Sequence, residues 1–245
     1  MTTTASQTPV VSLVDVDEDF ARLVPEEDLD LARRALTLRE LRFDAGTPIT
    51  YTDPEAIALL VVGGAIWREL RVGPGGAPQL LGPGSAICER PPADGGKPAH
   101  DGIALTRVRL AVLDRRFLLA STKWPALAAE LMRRLADQER DLAVQAAICQ
   151  LPRVDERLLA LMWHLGQKWG RVGGGGLRLP MRLTHATLGR FVGARRPTVS
   201  LALAQLKDRG LIDRDDEGLW TLLGEAPSLA PDQEPPPPPD LFARR

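Results

Sequence analysis

Two adjacent arginines, Arg195 and Arg196, stand at the start of a segment with a helical pattern. A guanidinium group can donate two parallel hydrogen bonds to O6 and N7 of guanine, and it also pairs with phosphate. The apolar residues that follow have the i, i+3, i+4, i+7 spacing of one buried helical face. They are Val199, Ala202, Leu203 and Leu206. The residues off that face are candidates for contacting DNA bases, with Arg196 first: Arg195, Arg196, Ser200 and Leu201.

A shorter helix is predicted immediately before this segment, and the turn between the two contains Gly193. Glycine supplies the left-handed backbone that a sharp turn between helices needs, and Gly189 has no side chain to hold the helices apart. Residues 178–212 contain seven Lys or Arg residues and one acidic residue, Asp208, whereas the whole chain carries a net charge of −1. A compact, basic helix-turn-helix in a nearly neutral protein indicates a DNA-binding module.

The elements that must position this module are predicted from apolar periodicity. With 245 residues, 44% of them hydrophobic, the chain is long enough for one large or two ordinary domains. Between Leu36 and Leu113, short apolar runs alternate with Gly- and Pro-rich turns, which predicts an antiparallel barrel or sandwich. Residues 211–214 and 219–223 flank an acidic turn and predict a β-hairpin. The glycine-rich run 170–176 lacks the Lys-Ser/Thr ending of a phosphate-binding loop and is predicted to be another hairpin turn.

A long helix is predicted from Pro125 to Cys149, with proline in the first turn, where its missing N–H is harmless. Its stripe of mainly apolar residues recurs at close to 3.5 residues, which is typical of a two-stranded coiled coil. The alternative is that this stripe packs only on the chain's own barrel. The predicted dimer interface consists of Leu127, Leu131, Leu135, Gln138, Leu142 and Ala146.

The remaining chemistry-bearing residues argue against other classes of protein. We find no Ser-His-Asp set and no phosphate loop, and the three histidines lie in dissimilar settings, so we do not expect an enzyme. Cys88 and Cys149 are too few for a disulfide framework or a metal cluster, and we expect reduced thiols in a cytoplasmic protein without a metal. The longest apolar runs are too short to cross a membrane, and no signal peptide is evident.

The order of barrel, long helix and basic helix-turn-helix with a hairpin resembles the Crp-Fnr superfamily of bacterial transcription regulators. The resemblance covers roughly Leu36 to Leu223, and the segment LGRFVGARRPTVSLALAQLKDRGLI fits the family spacing without a gap. It implies an α+β fold with an antiparallel β-roll like a cyclic-nucleotide-binding jelly roll, a long dimerisation helix and a winged helix-turn-helix. It also implies a homodimer that binds palindromic double-stranded DNA and contacts RNA polymerase. The predicted segments are a flexible arm (1–12), the β-roll (13–122), the dimerisation helix (123–150), the DNA-binding domain (151–224) and a disordered Pro-rich tail (225–245).

The effector pocket departs from the family pattern. Family members that bind cyclic nucleotides use a Gly-Glu pair and, after a loop, an Arg beside Ser or Thr. Here only Glu89 fits, with Arg90 beside it, and the downstream segment Ala99-His100-Asp101-Gly102 contains no Arg beside a hydroxyl residue. Because a buried phosphate without a paired cation is costly, we predict that neither cyclic AMP nor another cofactor is required. Glu89 and Arg90 remain the candidate pocket residues.

The residues predicted to contact DNA bases also differ from the family pattern. Many family members have Arg-Glu where this chain has Arg196-Pro197, and a second Arg where it has Leu201. The acceptor for cytosine is therefore lost, whereas Leu201 could contact a thymine methyl group. Thr184, His185 and Thr198 occupy positions that lie near phosphates in the family. The alternative function is a ligand-sensing or protein-interaction module with weak or altered DNA binding.

Overall fold

The computed structural model describes residues 9–49, 55–72, 75–88 and 100–227. The chain forms two compact units, residues 1–146 and 147–245, so the division falls inside the long helix. Glu89 and Arg90 lie outside the described residues, as does most of the predicted Pro-rich tail. No helix in the described part of the chain combines the length and apolarity needed to cross a membrane.

The N-terminal unit contains an antiparallel β-roll, as the turn-punctuated apolar runs predicted. The strands are β1 (Val10–Ser12), β2 (Thr37–Phe43), β3 (Ala58–Gly63), β4 (Ile66–Val72), β5 (Gly75–Leu81), β6 (Ala86–Ile87), β7 (His100–Ala104) and β8 (Val108–Leu113). One sheet has the strand order β1-β2-β8-β3-β6 and the other β5-β4-β7, and every pairing in them is antiparallel. The helices are α1 (Leu13–Val16), α2 (Glu18–Arg22), α3 (Leu29–Ala35) and α4 (Arg115–Lys123), with a 3-10 turn at Glu26–Asp28 and the first part of α5 (Pro125–Gln150).

The prediction that residues 1–12 form a flexible arm is wrong for its last three residues. Val10, Val11 and Ser12 pair with Arg39, Leu38 and Thr37 and extend the larger sheet. Val11 packs against the core of the unit, and burial of that apolar side chain favours the paired strand over a free arm.

The predicted dimer interface on α5 needs correction. Leu127 is fully buried, and Leu131 and Leu135 pack against the same core within the unit. Gln138 accepts a hydrogen bond from Ala86 N (2.6 Å) and donates one to Ala86 O (2.9 Å). These four residues therefore have partners inside the chain, because the β-roll offers apolar surface and a strand edge at the same helical spacing. Of the predicted set, Leu142 and Ala146 remain exposed.

A buried ion network joins α2 and α5. The Arg134 side chain is only 7% exposed. It donates to Asp17 (2.6 and 2.8 Å) and to Glu130 (2.6 Å), and its guanidinium lies 4.6 Å from the centre of the Phe20 ring. Hydrogen bonds from Arg133, together with those from Arg134, outweigh burial and lower the pKa of Glu130. The network is thus a set of mutually satisfied charges. Removal of the central cation would leave Asp17 without a cation and Glu130 with Arg133 alone.

The C-terminal unit is a helical layer with a small sheet. The elements after α5 are α6 (Val154–Trp169), β9 (Arg171–Gly173), β10 (Gly176–Arg178), α7 (His185–Val192), α8 (Arg196–Asp208), β11 (Ile212–Arg214) and β12 (Trp220–Leu222). The strands have the order β11-β12-β10-β9, and the Gly-rich run forms the β9–β10 turn, as predicted. The predicted wing hairpin corresponds to β11 and β12, which pair antiparallel.

We expect Arg134→Met to destabilise the protein by roughly 3–5 kcal/mol, because it leaves the Asp17 carboxylate, which is only 10% exposed, without a cation. Arg133→Met is the matched control: Arg133 also binds Glu130, but its side chain is 57% exposed, and the expected cost is at most about 1 kcal/mol. Urea denaturation of the full chain, followed by circular dichroism, measures both. Because folding lowers the pKa of Glu130, this residue adds its full contribution to the free energy of unfolding above the ordinary Glu pKa. That contribution is lost as the pH falls below the ordinary value. Equal losses in the two variants would contradict the network's role.

Candidate nucleic-acid interface

The turn between α7 and α8 depends on two glycines. Gly193 has φ +64°, a left-handed conformation that ends α7. Ala194 N donates to Gly189 O at 2.9 Å, and a Cβ on Gly189 would lie only 2.6 Å from Ala194 O. Any side chain at Gly189 would therefore push the turn away from α7. The sequence-based role of Gly189, to let the helices approach, matches this packing.

Helix α8 begins at Arg196, with Pro197 in its first turn. Its apolar face is buried as the spacing predicted, through Val199, Ala202, Leu203 and Leu206. Among the candidate DNA-contacting residues, Arg195, Arg196 and Thr198 are exposed, Leu201 is 63% exposed, and Ser200 is half-buried. Neither Arg195 nor Arg196 forms an ion pair with a described residue. The helix therefore presents two unpaired cations and an apolar side chain at its N-terminal end.

The start of α7 is tied to the start of α8 by side-chain hydrogen bonds. His185 Nδ1 lies 2.8 Å from Ser200 Oγ, and Ser200 Oγ donates to Arg196 O at 3.0 Å. Thr184 caps α7 by accepting from Thr187 N at 3.1 Å. The hydrogen bonds of Ser200 join His185 to Arg196, and Thr184 directly precedes His185, so these four predicted residues lie close together at the end of α8 that carries the arginines.

Sequence reasoning missed Arg214 and Trp220. Arg214 is exposed at the end of β11, and its guanidinium lies 5.0 Å from the centre of the Trp220 ring. The Trp220 ring in turn lies 6.1 Å from the His185 ring, and its Nε1 donates to Leu183 O at 2.8 Å. Arg214 is a basic residue in the first predicted strand of the wing, so the signal was present, but only the pairing of β11 with β12 places it next to α7.

Burial and two nearby arginines act on His185. Burial lowers the pKa of the imidazole first, and the positive charges of Arg214 and Arg196 lower it further. The neutral ring is therefore favoured at neutral pH in the isolated chain. The same two arginines give this end of α8 a positive potential that suits an anionic partner.

The acidic wing tip is partly neutralised within the unit. Arg178 on β10 pairs with Asp215 and, at 3.1 Å, with Glu217. The pKa of Asp215 is lowered chiefly by the hydrogen bond from Leu219 N, with Arg178 adding to the effect. The tip keeps an exposed carboxylate at Asp216, so it is a poorer surface for phosphate than the end of α8.

The basic residues at the other end of α8 are engaged in the fold. Lys207 pairs with Asp213 at 3.0 Å, and Arg209 pairs with the buried Asp155 at 3.2 Å. Within α8 and the wing strand β11, the positive charge without an acidic partner among the described residues is thus concentrated at Arg195, Arg196 and Arg214.

Comparison with known proteins identifies this module. Residues 156–225 match the family model for the Crp-like helix-turn-helix domain. Over 155 residues the chain is 31% identical to the CRP-like cAMP-activated global transcriptional regulator of Mycobacterium tuberculosis, in strains CDC 1551 and H37Rv. That match covers 62% of this chain and 67% of the regulator.

Solved structures share the fold across most of the chain. A cyclic nucleotide-binding domain containing protein from Listeria monocytogenes has a TM-score of 0.64 at 16% identity, covering 84% of this chain and 96% of its own. A CRP/FNR family transcriptional regulator from Thermus thermophilus has a TM-score of 0.57 at 22% identity, covering 76% and 94%. Taken with the matching helix-turn-helix and the mycobacterial relative, the chain belongs to the Crp-Fnr superfamily of transcription regulators.

Proposed function

We propose that this protein is a cytoplasmic, homodimeric regulator that binds a palindromic promoter site in double-stranded DNA and needs no cyclic AMP. The observation that carries the proposal is the N-terminal end of α8, where Arg195, Arg196 and Leu201 are exposed and neither arginine has an acidic partner among the described residues. A helix with such an end fits the major groove, and the cations offset the phosphate charge. The function is DNA recognition without catalysis, with RNA polymerase as the further partner.

Two residues on the outer side of α8 support base reading. Arg196 can pair with guanine through two hydrogen bonds, and the exposed Leu201 suits a thymine methyl group. Pro197 carries no acceptor, so the cytosine contact made by Glu in other family members has no counterpart. We infer that the preferred sequence differs from the usual family site at that base pair.

Contacts to the DNA phosphates are assigned to residues around the N-terminal end of α8. Arg195 and Thr198 are exposed next to Arg196, and Arg214 adds a cation from the wing strand. The hydroxyl of Thr184 caps α7, and we assign Thr184 and the neighbouring His185 to phosphate contacts because they occupy positions that lie near phosphates in the family. Such contacts set the register of the protein on the duplex without specifying sequence.

Dimerisation is proposed through the face of α5 opposite the β-roll. Met132 is 66% exposed, and Ala136, Ala143 and Ala146 are also exposed. They follow Met132 after about one, three and four helical turns, so the four residues lie on one face of the helix. Leu142 borders this face and is also exposed. A second copy of α5 would bury these side chains, and the two α8 helices of the proposed dimer would occupy successive major grooves, about 34 Å apart along the DNA.

Independence from cyclic AMP is proposed because Ala99-His100-Asp101-Gly102 contains no Arg beside a hydroxyl residue to pair with the phosphate. The attachment of α5 to the β-roll is made by side chains of the helix. Gln138 occupies both backbone groups of Ala86, and Gln145 donates to Pro78 O at 2.9 Å. The helix is therefore fastened to β5 and to the residue that begins β6 by its own side chains. The mycobacterial relative is described as cAMP-activated, so the effector requires a direct test.

Arg196→Ala should relax the preference for one base pair by about 1–3 kcal/mol while the protein still binds duplex DNA. The measurement is selection of sites from a random duplex pool, followed by titration of matched and mutated sites at several salt concentrations. Lys207→Ala, at the other end of the same helix and paired with Asp213, is the control and should leave base preference unchanged. Identical site preference in wild type and Arg196→Ala would contradict the assignment of Arg196. No salt-dependent binding at all would favour the alternative, a sensing or protein-interaction module.

Ala136→Glu should weaken the dimer, because it places a carboxylate in the proposed apolar contact, and DNA affinity should fall with it. Ala126→Glu is the matched control, since Ala126 is exposed on another side of the first turn of α5. Sedimentation velocity over a range of protein concentrations measures the dimer directly. A dimer of unchanged strength in Ala136→Glu would exclude this face of α5.

Addition of 3′,5′-cyclic AMP should leave the Kd for the selected duplex unchanged. Titration with and without the nucleotide, on the full chain freed of bound ligand by dialysis, measures this, and cyclic GMP serves as a second ligand. A gain within the usual allosteric range of about 5–150-fold would show that the pocket is functional.

A further inference from the structure

We propose that His185 links DNA binding to proton uptake, with its Nε2 atom donating to a DNA phosphate while Nδ1 holds Ser200. This inference rests on the proposed DNA-binding function and adds a condition to it. The contact forms only when the imidazole carries a second proton, so the protein binds its site more tightly as the pH falls.

The first step is the direction of the hydrogen bonds. Ser200 Oγ has one hydrogen and two neighbours within hydrogen-bond distance, Arg196 O at 3.0 Å and His185 Nδ1 at 2.8 Å. A backbone carbonyl can only accept, so both bonds form only if the hydroxyl donates to Arg196 O and His185 Nδ1 donates to the hydroxyl. The chain of donors thus runs from the α7 imidazole through Ser200 to the first carbonyl of α8, and it places the ring proton on Nδ1.

The second step concerns the other ring nitrogen. Within the described part of the chain, Nε2 of His185 makes no hydrogen bond, and it is not among the buried polar atoms left without a partner. Nε2 is therefore accessible to another molecule. With the proton on Nδ1, a neutral ring presents a lone pair there, which repels a phosphate oxygen. Only the imidazolium presents an N–H donor at Nε2 while it keeps the bond to Ser200.

The third step is the charge around the ring. The charged groups that act on His185 are Arg196 from α8 and Arg214 from β11, and the neighbour from β12 is the aromatic ring of Trp220, at 6.1 Å. In the free protein, burial and the two arginines lower the pKa of His185. A phosphate bound between them supplies the opposite charge and raises that pKa, because it stabilises the imidazolium.

The sign of the pH dependence follows. Binding takes up a proton wherever the pKa is higher in the complex than in the free protein, so affinity rises as the pH falls from the bound pKa to the free pKa. One proton limits the slope to about tenfold in Kd per pH unit. Because the free pKa is lowered from about 6.5, the useful window lies around neutral pH and below.

The test uses the full-length protein and the duplex selected in vitro with the wild type, titrated at pH 6, 7 and 8 at constant ionic strength. Wild type should bind about three- to tenfold more tightly at pH 6 than at pH 8. His185→Gln cannot become charged and should lose that dependence, whereas His185→Arg should bind tightly at every pH. His164→Gln removes a histidine on α6 that is not part of the interface and should keep the wild-type slope.

An independent readout is the titration of the His185 ring by NMR, free and bound to the same duplex. The pKa should be below its ordinary value in the free protein and higher in the complex. The proposal is overturned if wild type and His185→Gln share one pH dependence, or if DNA does not raise the pKa. Binding that is tight but independent of pH would refute only the proton link. The absence of duplex binding in every variant would refute the proposed function itself.

Discussion

The approach of α7 and α8 at a glycine is the constraint on which the DNA-binding surface depends. Because Gly189 has no Cβ, the carbonyl of Ala194 can pack against α7 while Ala194 N bonds to Gly189 O. The left-handed Gly193 then redirects the chain. These two backbone features set where α8 begins, and its buried face sets its rotation. Arg196 and Leu201 point outward as a consequence of packing on the other side of the helix.

Electrostatic pairing decides which basic residues remain available. Arg134, Arg178 and Arg209 bind carboxylates of the fold. Lys207 binds Asp213 in the same way, so its positive charge is neutralised within the fold. On α8 and the neighbouring wing strand, the cations left without an acidic partner in the described part of the chain lie at one end of the helix. A net charge close to zero therefore conceals a local positive surface, because many other charges are matched pair by pair.

The long helix illustrates how one apolar stripe can suit two partners. Its period of about 3.5 residues is compatible with a coiled coil, but a β-roll that presents apolar surface along the helix satisfies the same spacing. The chain's own β-roll has the advantage of proximity, because no translational entropy is lost when it packs against α5. Leu127 and Leu131 are buried in this way, so they are not available to a second copy of the helix.

By itself, the sequence determined the elements and the character of the site: the periodicity of α8, the turn at Gly193, the hairpin of the wing and the strand-rich N-terminal unit. Each of these depends on neighbours close along the chain, which is why local pattern was sufficient. Only the tertiary structure decided which face of α5 is covered, that Val10–Ser12 forms an edge strand, and that Arg214 and Trp220 adjoin His185. Those outcomes depend on contacts between residues that lie tens of positions apart in the sequence. The hydrogen-bond direction from His185 through Ser200 to Arg196 belongs to this second class. It exists only because the folded chain holds the first turns of two helices within hydrogen-bond distance.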